Sequence, residues 1–263
     1  MSAPRVTLRV ENQIGYVNLN RPEKHNALDM AMFKAIDKVI GDIKRNKDIR
    51  VVIVSGNGES FCSGLDVKSV LSNGAGAIKL LWKWLPGNAN LAQRVTVGWR
   101  KLKVPVIMVL HGKCWGGGMQ IALGADVRIS DSQCSFSIME SRWGLIPDMG
   151  GTLGLMECVA NDHAMKLAMT SEVIDAQVAA SIGLITNVSD EPMQAAETLA
   201  QQLITRSPDT NATIKAMYHK IWCRQERSIL AKESLNQVRI LLGKNQRIAV
   251  ARELKQKDIP YKV

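Results

Sequence analysis

The sequence predicts an α/β fold, and three observations carry that reading. The β-branched runs Val51-Val52-Ile53-Val54 and Val104-Pro105-Val106-Ile107-Met108-Val109 read as strands buried on both faces, as in a parallel sheet. Segments of helical period alternate with them, which implies βαβ units with right-handed crossovers. From Asp190 onward the pattern is almost wholly helical. The chain is therefore divided into residues 1–195, a strand–helix core, and residues 196–263, a helical region that packs on its own core or on a neighbouring subunit.

The elements follow in order. Val6, Leu8 and Val10, then Ile14, Val17 and Leu19, lie either side of Glu11-Asn12-Gln13 and predict a β-hairpin. Arg21-Pro22 breaks it. Asn26-Ala27-Leu28-Asp29 opens a helix whose apolar stripe is Leu28, Met32, Ile36, Val39, Ile40 and Ile43. The strand at 51–54 ends at Ser55-Gly56-Asn57-Gly58. Residues 69–90 are irregular and read as a mobile, partly helical flap bearing Trp82 and Trp84. A helix near 90–102 leads to the second buried strand. Gly112 and Gly116-Gly117-Gly118 then turn the chain into a helix ending near Gly124. Val127-Arg128-Ile129 is a short strand, and 150–183 is helical with breaks.

Composition limits the function. The chain has 263 residues and is 46% apolar, enough for a substantial core. Its net charge of +10 favours anionic partners, such as a phosphorylated ligand. No Lys/Arg block with interleaved aromatics occurs, so nucleic acid is disfavoured. Five cysteines without a CxxC spacing argue against a disulfide framework or a zinc site. The histidines have no metal-ligand spacing, so no metal is expected. Nor is a membrane span, since no apolar run is long enough. No targeting pattern stands at either end, and the cytoplasm is the expected location.

Two segments can carry chemistry. Phe61-Cys62-Ser63-Gly64-Leu65-Asp66 follows the first buried strand, and its glycine lets backbone approach a ligand closely. Trp115-Gly116-Gly117-Gly118-Met119-Gln120 follows the second and places unshielded N–H groups at a helix N-terminus, where negative charge is favoured. It is neither a dinucleotide fingerprint nor a phosphate-binding P-loop. Alone, each reads equally as a tight connection between elements.

Together, in order and spacing, they resemble the crotonase, or enoyl-CoA hydratase/isomerase, superfamily. The likeness runs from Arg21-Pro22 and Asn26-Ala27-Leu28, through both glycine segments and Ala125-Asp126, to Gly144-Leu145-Ile146-Pro147-Asp148-Met149-Gly150-Gly151-Thr152. Ala176 through Gly183-Leu184-Ile185 resembles its next landmark. It covers about residues 5–190 closely and the C-terminal helices loosely. The fold it implies is the ClpP/crotonase-type spiral of ββα units with a C-terminal helical trimerisation region, so a homotrimer or hexamer is expected.

The resemblance implies an acyl-CoA thioester as substrate and no separate cofactor. It assigns the oxyanion-hole N–H groups to Leu65 and Gly117. Two such donors would hold the negative charge that reaches the thioester oxygen when a proton leaves an adjacent carbon. It implies coenzyme A binding along Lys24, Ala27, Ser63, Gly64, Asp66, Val67, Lys68 and Gly116, with Arg21 as a further basic partner for the phosphates.

The reaction turns on the side chains over the acyl group. Hydratases of the family use two glutamates, and the first of those positions holds Gln120 here; the second is Glu140. Glutamine orients water but accepts no proton at neutral pH. Asp148, eight residues after Glu140, offers another pair, and the family's dienoyl-CoA isomerases carry carboxylates at both positions. They also carry aspartate where this chain has Gln120, so the match is partial. The expected activity is a double-bond shift by proton transfer through Glu140 and Asp148. One alternative is hydration by Glu140 with water held by Gln120. Another is a non-catalytic CoA- or RNA-binding paralogue. Plainer readings also stand: Asp148 capping the following helix, Glu140 pairing with Arg142, and Trp82, Trp84 and Trp143 serving either core packing or the acyl pocket.

Overall fold

The computed structural model describes residues 3–67, 69, 80–222, 225–255 and 259–261. Strands β1 (Val6–Glu11) and β2 (Ile14–Leu19) form the expected hairpin, with Val6 opposite Leu19 and Glu11 opposite Ile14. Asn12 and Gln13 both adopt positive φ, the twist a two-residue hairpin turn requires.

Parallel strands β3 (Val51–Gly56), β4 (Val106–Leu110), β6 (Val127–Ser130) and β9 (Asn187–Val188) extend this hairpin into a sheet of order β1-β2-β3-β4-β6-β9. The apolar runs are continuous because both faces are covered. Val52, Val54, Val106 and Met108 point into the main core with helix α1 (Met30–Arg45) and helix α2 (Leu91–Arg100). Val51, Ile53, Ile107 and Val109 point the other way, toward Ala196 and Ala200.

A second sheet joins β5 (Lys113–Trp115), β7 (Ser135–Ser137) and β8 (Ile174–Asp175). Two single parallel bridges, Cys62 with Cys114 and Leu28 with Leu65, carry its line onward. Each turn of chain thus contributes to the large sheet and then the small one: β3 then Cys62, β4 then β5, β6 then β7. These short partners lack a periodic signature of their own, and the sequence reading omitted them. Leu28 also departs from expectation. It stands before α1 in the bridge to Leu65, and Asp29 caps the helix by accepting the Met32 N–H at 2.7 Å.

Helices α3 (Gly117–Ala122), α4 (Gly151–Cys158), α5 (Asn161–Thr170) and α6 (Ala176–Ser181) complete the core. Then come α7 (Pro192–Ile204), α8 (Pro208–Trp222), α9 (Glu226–Leu242) and α10 (Lys244–Lys255). The expected division between residues 195 and 196 falls inside α7. That helix belongs to the core, because Ala196 and Ala200 cover the back of the large sheet. Helices α9 and α10 likewise fold onto their own chain, where they help to wall a cavity. Among the described residues, no helix is long and apolar enough to cross a membrane.

Candidate active site

The two glycine segments meet. Gly64 adopts φ +94°, and a Cβ there would lie 2.9 Å from the Trp115 carbonyl and 3.3 Å from the Gly117 nitrogen. Only glycine combines that backbone with that approach. The Leu28–Leu65 bridge uses the flanking groups: Leu28 N–H donates to the Gly64 carbonyl at 2.8 Å, and Asp66 N–H to the Leu28 carbonyl at 3.1 Å. In a parallel bridge the central residue's own N–H faces the other way, so that of Leu65 is left over. Gly117 opens α3, where the first N–H groups have no partner within the helix. Neither N–H has an acceptor among the described residues.

Gly64, Leu65, Gly116 and Gly117 border a cavity of about 530 Å³, a size typical of small-molecule sites. Its wall is largely apolar and includes Phe33, Leu80, Trp143 and Met149. Ser63 and Val67 also lie on it, as expected. Glu140 and Asp148 bring two carboxyls to the same space.

Glu140 stands in a 3₁₀ turn, Met139–Trp143, and is 9% exposed. Its Oε1 accepts from Gln120 Nε2 at 2.6 Å, and its buried Oε2 has no partner among the described residues. Burial pushes its carboxyl up to about 7, against the opposing pull of the Gln120 bond. It does not pair with Arg142, which binds Glu253 at 2.7 Å.

Asp148 is half-buried on the cavity wall and is pushed up to about 8. Depth in the protein is the first cause, and the negative charges of Glu140 and Glu233 add to it, with Lys83 opposing. It does not cap α4. Gly150 occupies the cap with no side-chain bond of the capping kind; nearby, Gly150 N–H goes to Glu233 at 3.0 Å and Gly151 N–H to Gln120 at 3.2 Å.

Gln120 is fully buried behind Glu140 and is not on the cavity wall. Its carbonyl accepts from Met149 and Gly151, its amide donates to Glu140, and it supports the walls of the site. The water-orienting position expected of it is therefore taken up by protein contacts.

The expected coenzyme A residues divide. Arg21 is buried and committed: it binds Asp66 at 2.9 Å, lies 3.6 Å from Asp29, and donates to the Ala27 carbonyl at 3.0 Å. It ties Asp66 and Ala27 together and is no open phosphate partner. Asp66 is held below the usual carboxylate range: burial works against its charge, but the Ser69 N–H and Arg21 outweigh it. Lys24 is exposed, and Lys68 lies outside the described residues. The tryptophans divide as well: Trp143 lines the cavity, whereas Trp82 and Trp84 are 68% and 84% exposed and do not.

The sequence reading missed His25, Lys113, Arg142, Gln237 and Glu253, all on the cavity wall. His25 and Lys113 adjoin the recognised segments, and position relative to the glycines was a signal available for them. Gln237 and Glu253 arrive from α9 and α10, and no local pattern marks them. Burial pushes the Cys62 thiol up to about 12, which keeps it protonated.

The sequence model of the enoyl-CoA hydratase/isomerase family matches residues 9–251. The chain is 31% identical over 207 residues to (E)-benzylidenesuccinyl-CoA hydratase of Thauera aromatica, covering 77% of each. It is 30% identical over 207 residues to the mitochondrial Delta(3,5)-Delta(2,4)-dienoyl-CoA isomerase of Mus musculus, covering 75% of this chain and 63% of that one. The crystal structure of an enoyl-CoA hydratase/isomerase from Pseudoalteromonas atlantica shares the fold, with a TM-score of 0.86 and 20% identity over 98% of this chain and 100% of that one.

Proposed function

The chain belongs to the enoyl-CoA hydratase/isomerase family, and from that premise we propose that it shifts a double bond in an acyl-CoA thioester. The observation that supports this most is the pair of carboxyls, Glu140 and Asp148, raised above their ordinary range on one cavity wall. Two N–H groups without an acceptor among the described residues border the same space.

Glu140, whose Oε1 accepts the Gln120 amide N–H, a bond that favours the ionised form, acts as the base. It takes a proton from the saturated carbon next to the double bond that is conjugated to the thioester. The electron pair moves through the double bond to the carbonyl oxygen, and the Leu65 and Gly117 N–H groups hold the resulting dienolate. Asp148, kept protonated, delivers its proton to another carbon of the dienolate, and the double bond comes to rest in its new place. Proton exchange with water then restores both carboxyls. The apolar wall accepts the acyl chain, and Ser63, Gly64, Val67 and Gly116, with the exposed Lys24, line its coenzyme A end. No separate cofactor enters this scheme.

The large apolar side chains left exposed on α5, α8 and α9, including Met169, Met217 and Leu242, support a homotrimer or hexamer. The expected location is the cytoplasm.

Incubation with 2-enoyl, 3-enoyl and 3,5-dienoyl CoA thioesters, followed by product analysis, tests the reaction. A migrated double bond without added water is the expected product. Hydration with no shift would replace the isomerase reading with the hydratase one. Tight coenzyme A binding with no turnover, joined to salt-sensitive RNA binding, would point to a non-catalytic paralogue.

A further inference from the structure

Helix α9 reaches the site of its own chain at two points, one on each side of Asp148. Glu233 is 5% exposed, and its Oε2 accepts from the Gly150 N–H and from Gln93 Nε2, each at 3.0 Å. One turn later Gln237, 4% exposed, accepts the Ile146 N–H at 3.1 Å. Between these two, Pro147 has no N–H to offer. The Met149 and Gly151 N–H groups go to Gln120. Side chains therefore hold the loop at 146–151 along its length, and α9 supplies two of them.

We propose that Glu233, with Gln237, is a positioning residue for Asp148: it clamps the loop that carries this carboxyl and sets a negative charge beside it. The inference rests on the reading of Asp148 as a proton carrier. An amide would satisfy the Gly150 N–H equally well. A carboxylate does two further things. It complements the N-terminal end of α4, and it disfavours ionisation of Asp148, so that the acid stays loaded until the dienolate forms.

Among the described residues, the charged groups that act on Asp148 are Glu233 from α9, Glu140 from the 3₁₀ turn and Lys83 from the segment before α2. Lys83 opposes the two carboxylates, and its ammonium is engaged by the Pro86 and Leu230 carbonyls and by Gln93 Oε1. Glu233 is itself pushed up by burial, and the Thr152, Gln93 and Gly150 donors pull it back in part.

The test follows the Asp148 carboxyl by ¹³C NMR on aspartate-labelled protein, with the signal assigned by its loss in Asp148→Asn. In Glu233→Gln the titration midpoint should fall by about half a unit or more, and in Glu233→Asp, which keeps the charge, it should stay near the wild-type value. An unmoved midpoint in Glu233→Gln overturns the proposal. Gln237→Leu removes one clamp without touching a charge; kcat on whichever thioester the enzyme turns over should fall about tenfold with KM within about threefold. Unchanged kcat there overturns the clamp, even if Glu233→Gln fails to fold. Full turnover by Asp148→Asn would instead sink the proton-transfer reading, and the NMR midpoint would still judge Glu233 separately.

Discussion

Gln120 and Glu140 meet in a buried hydrogen bond of 2.6 Å in which the amide donates to the carboxyl. The carbonyl of the same amide accepts the Met149 and Gly151 N–H groups, so one side chain spans both carboxyl-bearing segments. Gln120→Leu would leave two buried N–H groups and one carboxyl oxygen unpaired. The expected loss in urea denaturation is about 2–4 kcal/mol. Because the Gln120 bond lowers the Glu140 value, the acid limb of the rate profile should move to higher pH. A limb that stays in place would separate Gln120 from the chemistry.

Glu140→Gln tests the base. Turnover should drop by roughly 10²–10⁴. Stability should change in the opposite sense. The folded carboxyl titrates at about 7, whereas an unperturbed one titrates near ~4.3. Between those values the folded protein binds more protons than the unfolded chain, so wild-type stability falls as pH rises through that window. The variant escapes this loss. Its advantage should be absent near about pH 4 and reach roughly 2–4 kcal/mol near pH 8. Denaturation at both pH values measures it, and a pH-independent difference would contradict the raised value.

Gly64→Ala tests the meeting of the two N–H groups. The new methyl would press on the Trp115 carbonyl at 2.9 Å and the Gly117 nitrogen at 3.3 Å, on a backbone of φ +94°. The strain should cost about 1–3 kcal/mol of stability. Displacement of a single donor should lower kcat about 10²–10³-fold. Loss of stability with kcat intact would mean that the donors do not hold the reacting oxygen.

A second buried charge group lies away from the cavity. His219 on α8 lies 3.2 Å from Asp126 and 3.8 Å from Glu157. Burial disfavours its charge, but those two carboxylates outweigh it and raise the His219 value. A histidine raised in this way stabilises the fold fully below its unfolded value, near ~6.5, and the contribution fades as pH climbs through the folded value. His219→Gln should therefore cost more stability near pH 5.5 than near pH 9. Thermal melts across that range read the difference, and an equal loss at both ends would rule out the charge.

Local patterns made most of the framework legible. Helix α1 buries apolar residues at a fixed period, and β3 and β4 carry unbroken apolar runs, so each is written in consecutive residues. Gly64 and Gly118 were legible for a related reason: a backbone that must approach another backbone tolerates no side chain. The short strands β5 and β7 were not, because three residues carry too little period to be distinguished from loop.

Consecutive residues sufficed to read the α/β class, the family likeness, the two glycine segments and the candidacy of Glu140 and Asp148. What surrounds them came with the packing of distant segments. That packing turned Gln120 from a water-holder into a strut, committed Arg21 to Asp66, left Trp82 and Trp84 exposed, and brought Glu233 and Gln237 to the loop of Asp148. The physical reason is separation along the chain. Gly150 and Glu233 stand 83 residues apart, and a contact of that span leaves no periodic trace in either segment. It exists only once the sheets, α4 and α9 have packed.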